Sequence, residues 1–127
     1  MVLVTVDHIL CGPRGVSLTE RQDIAYLEIP AAYAPPKKRP IPSEVDFQLD
    51  IHMSSPLLFR YSAVTFNAHR IHYDVEYART EESYPGLVVH GPLQATLLMQ
   101  SAVQHRGEVP QYFDFRGVHP AFAGEEF

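Results

Sequence analysis

The sequence holds a single cysteine, Cys11. A lone thiol cannot close an intrachain disulfide, so packing alone must hold the fold, and a reducing compartment is expected. Long apolar runs are missing too: no stretch approaches the roughly 20 apolar residues of a membrane-spanning helix. Met1 leads directly into VLVTVDHIL, which has no basic leading segment and contains Asp7 and His8. No secretory signal is expected from such a start, and a cytoplasmic location is. Positive charge is scarce: 10 Lys and Arg stand against 15 Asp and Glu, a formal net charge of −5. A phosphate backbone wants a basic face, which argues against nucleic acid as the main partner. Internal repeats and low-complexity tracts are absent.

What remains is the composition of a folded domain. With 127 residues, 46% of them hydrophobic, the chain can bury roughly two thirds of its unfolded surface. Val2, Val4, Val6 and Leu10 alternate with polar neighbours, the period of a half-buried strand. CGPRG supplies turn residues, and Val16 to Ile29 reads as a second strand, so an antiparallel hairpin is expected over residues 1–29. Residues 30–42, PAAYAPPKKRPIP, carry five prolines and read as a linker. Their Lys37-Lys38-Arg39 cluster is either a solvated part of that linker or a contact for a ligand phosphate. Residues 43–127 form the remainder. In them Phe47 to His52 and Leu57 to Ser62 read as short strands, Ala63 to Asn67 as a turn, and Tyr73 to Glu82 as a helix with Asp74 in its first turn. The clearest helix follows SYPG. Pro92 stands where a first helical residue belongs, and Gly107 where a terminating glycine belongs. Leu93, Leu97, Met99 and Ala102, with Leu98 alongside, predict a broad apolar face and a largely buried helix. Gln111 to Val118 returns to strand character.

The chemistry concentrates in two stretches. TFNAHRIHYDVEYA holds Asn67, His69, Arg70 and His72; HGP, residues 90–92, opens the long helix. A helix N-terminus presents free backbone N–H groups and the positive end of a dipole. A glycine there admits a ligand close to the backbone, and such a site can stabilise an oxyanion or enolate. An imidazole can move protons near neutral pH, and an asparagine amide can orient a water. These are the parts needed to add water across an activated double bond, or to remove it. Histidines with purely structural hydrogen bonds are the commoner case. A metal reading would use His69, His72 and His90, but no cysteine cluster or His-Glu-x-x-His motif supports it, so no metal is assigned.

LFRYSAVTFNAHRIHYDVEYA followed by YPGLVVHGPLQATLL resembles the MaoC-like hydratases and dehydratases of the hot-dog superfamily. It is most similar to the branch containing mesaconyl-C4-CoA hydratases and type 2 hydroxyacyl-thioester dehydratases. The matching stretch runs from Leu58 to about Leu98, near a third of the chain. The resemblance implies an α+β hot-dog fold, a long central helix wrapped by antiparallel sheet, and activity as a lyase on acyl thioesters. The coenzyme A thioester is then substrate, and no cofactor is implied. In most of the superfamily the motif reads Gly-Asp-x-Asn-Pro-hydrophobic-His. Here Phe66, Asn67, Ala68, His69, Arg70, Ile71 and His72 take those places. The catalytic histidine falls on His72, and the aspartate on Asn67, a residue that the mesaconyl-C4 branch itself carries. Gly91 falls on the glycine whose N–H polarises the thioester carbonyl. Since Asn67 cannot be a base, His72 would carry proton transfer alone. Arg70 is either structural or meets a substrate carboxylate. Arg60, His69, His90 and Pro92 complete the implied substrate contacts.

The same branch usually has two hot-dog halves in one longer chain. Residues 1–29 resemble the last strands of a first half and residues 43–127 the start of a second, so the sequence reads as a middle section of a double hot-dog protein. If the hairpin fills the place of the missing strands, the fold is a circularly permuted single hot dog. If it does not, the fold is incomplete and a partner covers the sheet edge. At least a homodimer is expected. A non-catalytic acyl-thioester binding or assembly module is the alternative function.

Overall fold

A computed structural model of the chain describes residues 1–37, 40 and 43–125. Of the basic cluster, Lys38 and Arg39 lie outside the described residues. The chain divides into two compact units, Met1–Pro30 and Ala31–Phe127.

The first unit is a hairpin. Strands β1 (Val2–Gly12) and β2 (Gly15–Tyr26) pair antiparallel, from Val2 opposite Tyr26 to Gly12 opposite Gly15, with a register irregularity between Leu10 and Cys11. Gly15 makes the turn with φ +98°, a conformation open to glycine and strained for other residues. Cross-strand pairs reinforce the register: Arg21 donates two hydrogen bonds to Asp7, and Thr5 donates to Asp23. The expected strands are present; the expected half-burial is not. Val2 is 61% and Leu10 54% exposed, because a two-stranded ribbon offers its own residues no second layer to pack against.

The second unit is helical. Helix α1 (Ser55–Thr65) replaces the strand expected at Leu57 to Ser62. The local chemistry explains the correction. The Ser54 side chain accepts from the Leu57 N–H, Pro56 sits in the first turn, and Leu58 and Ser62 fall one turn apart on the buried face. The helix ends where Phe66 turns left-handed at φ 53°, so the turn expected at Ala63 to Asn67 begins inside the helix and closes just beyond it. A short 3₁₀ turn at Arg70–His72 follows. Helix α2 (Val75–Thr80) lies within the expected span and is capped by Asp74, whose carboxylate accepts from the Tyr77 N–H. Helix α3 (Gly91–Arg106) has Pro92 in its first turn and ends at Gly107, φ +76°, as the sequence predicts. Residues 111–118 form no strand.

The core of this unit gathers Met53, Leu58, Leu87, Val89, Leu93 and Ala121. Of the apolar face predicted for α3, only Leu93 is buried, while Leu98 is 51% exposed. The same face borders a groove of about 300 Å³, in which Phe47, Leu49, Ile51 and Met53 face Gln94, Leu97, Leu98 and Ser101. Residues 47–53 thus keep the alternation of an extended chain but are not a strand, since the only paired strands among the described residues are β1 and β2.

Candidate active site

The segment Leu87–His90 organises the site. The Val88 N–H donates to the Ile71 carbonyl, the Val89 N–H to Ala121, and Ala123 returns a bond to Leu87. Residues 87–89 are thereby held between the 3₁₀ turn and residues 121–123, and the chain is delivered into α3 at His90. The four segments that matter, α1, the 65–74 loop, residues 87–90 and the start of α3, meet here.

His72 is 8% exposed. Its Nδ1–H donates to the Val88 carbonyl at 2.7 Å. A carbonyl only accepts, so Nδ1 carries the proton and Nε2 keeps its lone pair. This is the tautomer of a base. Burial lowers the His72 pKa below 6.5; the Val88 bond opposes that, nearby His69 lowers it further and Glu82 raises it. The His69 edge meets the His72 ring at a centroid distance of 5.6 Å, and His69 Nε2 lies 3.0 Å from Glu82 Oε1.

On the other side, His72 stacks on His90, centroids 3.7 Å apart and planes 18° from parallel. His90 has no exposed surface. Its Nε2 lies 2.8 Å from Ser62 Oγ, its Nδ1 has no partner among the described residues, and the Tyr61 ring stands edge-on at 4.8 Å. The tautomer follows from cost. If the Ser62 hydroxyl donated, Nδ1 would hold a buried N–H with no acceptor, the most expensive arrangement; Nε2–H therefore donates to Ser62. Burial, then the His72 ring, pushes the His90 pKa down to about 4.

Asn67 lies in a surface concavity of about 340 Å³ with Phe59, Ser62, Ala63, Phe66, Ala68 and Tyr73. Its Oδ1 accepts from the His69 N–H at 3.0 Å, which fixes the amide orientation and leaves the NH₂ to donate. Gly91 begins α3 in the open. A Cβ built there would meet nothing within 4 Å, and His90 provides no side-chain cap. The backbone N–H groups of the first turn, Gly91 and Leu93 flanking the N–H-less Pro92, have no acceptor within the helix.

Of the sequence-predicted residues, the structure brings His69, His72, His90 and Gly91 together, with Pro92 exposed beside Gly91. Asn67 joins them through the His69 backbone and through Ser62, which lines its concavity. Arg60 is exposed on α1. Arg70 places Nε and Nη2 on Asp74 Oδ2, at 3.1 and 2.7 Å, with its guanidinium over the Tyr77 ring. That engagement raises the Arg70 pKa and occupies its fork in binding the 3₁₀ turn to α2. His90 is buried. Ser62 is the residue the sequence reading missed. Its signal was helical spacing: one turn beyond Leu58 it carries a hydroxyl on an apolar face. Among the described residues no group of three or more His, Cys, Asp or Glu is arranged to hold a metal ion, and no helix is long and apolar enough to cross a membrane.

A family model, hydroxyacyl-thioester dehydratase type 2, matches residues 1–123. The mesaconyl-C(4)-CoA hydratase of Chloroflexus aurantiacus is 45% identical over 123 residues, which cover 96% of this chain and 44% of that protein. The mitochondrial hydroxyacyl-thioester dehydratase type 2 of Schizosaccharomyces pombe is 40% identical over 72 residues, 54% of this chain and 24% of that protein. Its Saccharomyces cerevisiae counterpart is 29% identical over 115 residues, 86% of this chain and 40% of that protein. The chain spans less than half the length of these relatives. It belongs to the hydroxyacyl-thioester dehydratase type 2 family, and its helices and antiparallel sheet accord with that family's hot-dog, α+β class.

Proposed function

From that membership, we propose that the chain carries the reacting groups of a hydratase/dehydratase acting on an enoyl acyl-CoA thioester, a mesaconyl-type acyl group among the candidates. The single observation that carries the reading is His72, pinned through Nδ1–H to Val88 with Nε2 left as a base beside the open start of α3. In hydration, Nε2 takes a proton from water as the water oxygen bonds to the β-carbon. The double-bond electrons move toward the thioester, whose oxygen gains charge and is met by the Gly91 N–H. The imidazolium then returns its proton to the α-carbon. Dehydration is the reverse. Asn67, its carbonyl engaged by His69, donates from its amide to hold the water. The exchange is redox-neutral and uses only side chains, backbone and water.

The remaining apolar surface supports assembly. Leu98 on α3 and Val2, Leu3, Ile9 and Val16 on the hairpin are all more than half exposed, and such area favours association with a second copy. The working unit under this reading is at least a homodimer.

The decisive experiment is turnover of a crotonyl- or mesaconyl-type CoA thioester by the chain and by His72→Ala, followed by loss of the enoyl thioester absorbance. Loss of general acid/base catalysis should slow the variant by about a hundredfold or more. Equal rates would remove His72 from the mechanism. Binding of the thioester with no turnover by the unsubstituted chain would replace the enzyme reading with a thioester-binding module.

A further inference from the structure

One buried pair is unused by that mechanism. His90 has no exposed surface and Ser62 is 5% exposed, and that mechanism gives neither a proton to move. Yet His90 stacks on the His72 ring, and Ser62 bonds His90.

His72 is held by one hydrogen bond, at Nδ1. The ring turns only about its Cα–Cβ and Cβ–Cγ bonds, and one hydrogen bond at Nδ1 opposes that turn with the strength of one bond; a tilt would carry Nε2 away from the reacting water. Two surfaces limit it: the His69 edge at 5.6 Å and the face of His90 at 3.7 Å. His90 can act as a wall only if it is itself fixed, and the 2.8 Å bond to Ser62 with the Tyr61 ring at 4.8 Å fixes it. Ser62 in turn sits on α1, anchored one turn away by fully buried Leu58. The wall also has to stay uncharged. When His72 takes a proton during turnover, an imidazolium lies flat on the neighbouring ring; a neutral ring attracts that cation, whereas a second imidazolium would repel it. Complete burial keeps His90 neutral.

We infer that Ser62 and His90 form a positioning pair for His72: the Ser62 hydroxyl locks the His90 ring, and the stacked His90 face fixes the plane in which His72 Nε2 meets its proton. The inference rests on the reading of His72 as the base, and its own geometric content can be tested apart from activity.

The test uses the whole chain, labelled with ¹⁵N, and the variants Ser62→Ala, Ser62→Thr, His90→Phe and His72→Ala. Imidazole ¹⁵N spectra report the tautomer and mobility of His72 directly. The unsubstituted chain should show a single His72 tautomer with the proton on Nδ1. Ser62→Ala should mix or broaden the His72 signals and lower kcat by about tenfold, with KM within a factor of about two, since misaligned reacting groups cost rate rather than binding. Ser62→Thr, which keeps a hydroxyl, should restore both. His90→Phe, which keeps a flat ring but cannot bond Ser62, should fall between. Identical His72 spectra in Ser62→Ala, His90→Phe and the unsubstituted chain would overturn the positioning role whatever the rates. Altered spectra with unchanged kcat would equally overturn it, because the ring plane would then not matter. If His72→Ala keeps its turnover while the spectra respond as expected, the failure lies in the assignment of His72 as base, and the positioning function falls with it.

Discussion

Acid should unfold this protein partly through one ring. His90 is fully buried and its pKa is pushed down from 6.5 to about 4, first by burial and then by the His72 ring. In the unfolded chain the ring regains its ordinary value. Between the two values the unfolded state binds the proton and the folded state does not, so stability falls as pH falls. The contribution is nearly flat above about pH 7, and roughly 2 kcal/mol is lost by pH 5. The full shift corresponds to about 3 kcal/mol below pH 4. Against a domain stability of about 5–15 kcal/mol, that is a large fraction. His72 is shifted in the same direction and adds to the loss. The assay is urea unfolding across pH 5 to 7.5 on the chain and on His90→Phe, which keeps the stack and removes the titrating nitrogens. Carboxylates and the other histidines titrate in both proteins and cancel in the difference. The unsubstituted chain should lose about 2 kcal/mol more than His90→Phe over that range. Parallel stability curves would refute the reasoning, since a ring that costs nothing to protonate is not held neutral by burial.

Three further outcomes follow from the same geometry. Asn67→Asp keeps the oxygen that accepts from the His69 N–H and restores the wider superfamily's carboxylate, so turnover should hold or rise, while Asn67→Ala should lose it; the opposite order, an inactive Asp and an active Ala, means that the geometry is misassigned. Gly91→Ala meets nothing within 4 Å and should leave thermal unfolding unchanged or stabilise by up to about 1 kcal/mol, yet turnover should fall, because the added methyl occupies the ground where the thioester approaches the helix; full activity would remove Gly91 from the oxyanion role. Light scattering at micromolar concentration should give at least a dimer, and a soluble, fully active monomer would sink the assembly reading.

The parts of the fold legible in the sequence were those written in local chemistry. The start and stop of α3 lay in Pro92 and Gly107, and that of α2 in the Asp74 cap. The hairpin was legible from alternation and from the Gly12-Pro13-Arg14-Gly15 turn. The misreading of Leu57 to Ser62 as a strand shows a conflict between two signals. The six residues LLFRYS, with two aromatics, look like a short strand, but Ser54 and Pro56 just before them are a helix start. The cap decides, because it satisfies backbone donors that a strand would have left to a partner, and no partner strand is present among the described residues of that unit. Burial was less legible than element type. Periodicity names the face of a helix that can be covered; what covers it depends on other segments, and at Leu98 an open groove leaves half the residue exposed.

The site divides in the same way. His72 and Gly91 entered as candidates through the family resemblance, and the structure places the His72 ring against His90, the residue before Gly91. Spacing could not distinguish the surroundings of the two histidines. His72 and His90 are both histidines beside a helix entry, and both carry lowered pKa values from burial. What separates them is the partner of each ring nitrogen. His72 gives its proton to a backbone carbonyl and keeps a lone pair for chemistry; His90 gives its proton to Ser62 and turns a lone pair into the interior. That second hydrogen bond joins residues 28 positions apart. In α1, Ser62 falls on the face Leu58 buries. The reading of Leu57 to Ser62 as a strand left Ser62 unremarked, because a contact to a residue so distant in sequence is not written in local pattern.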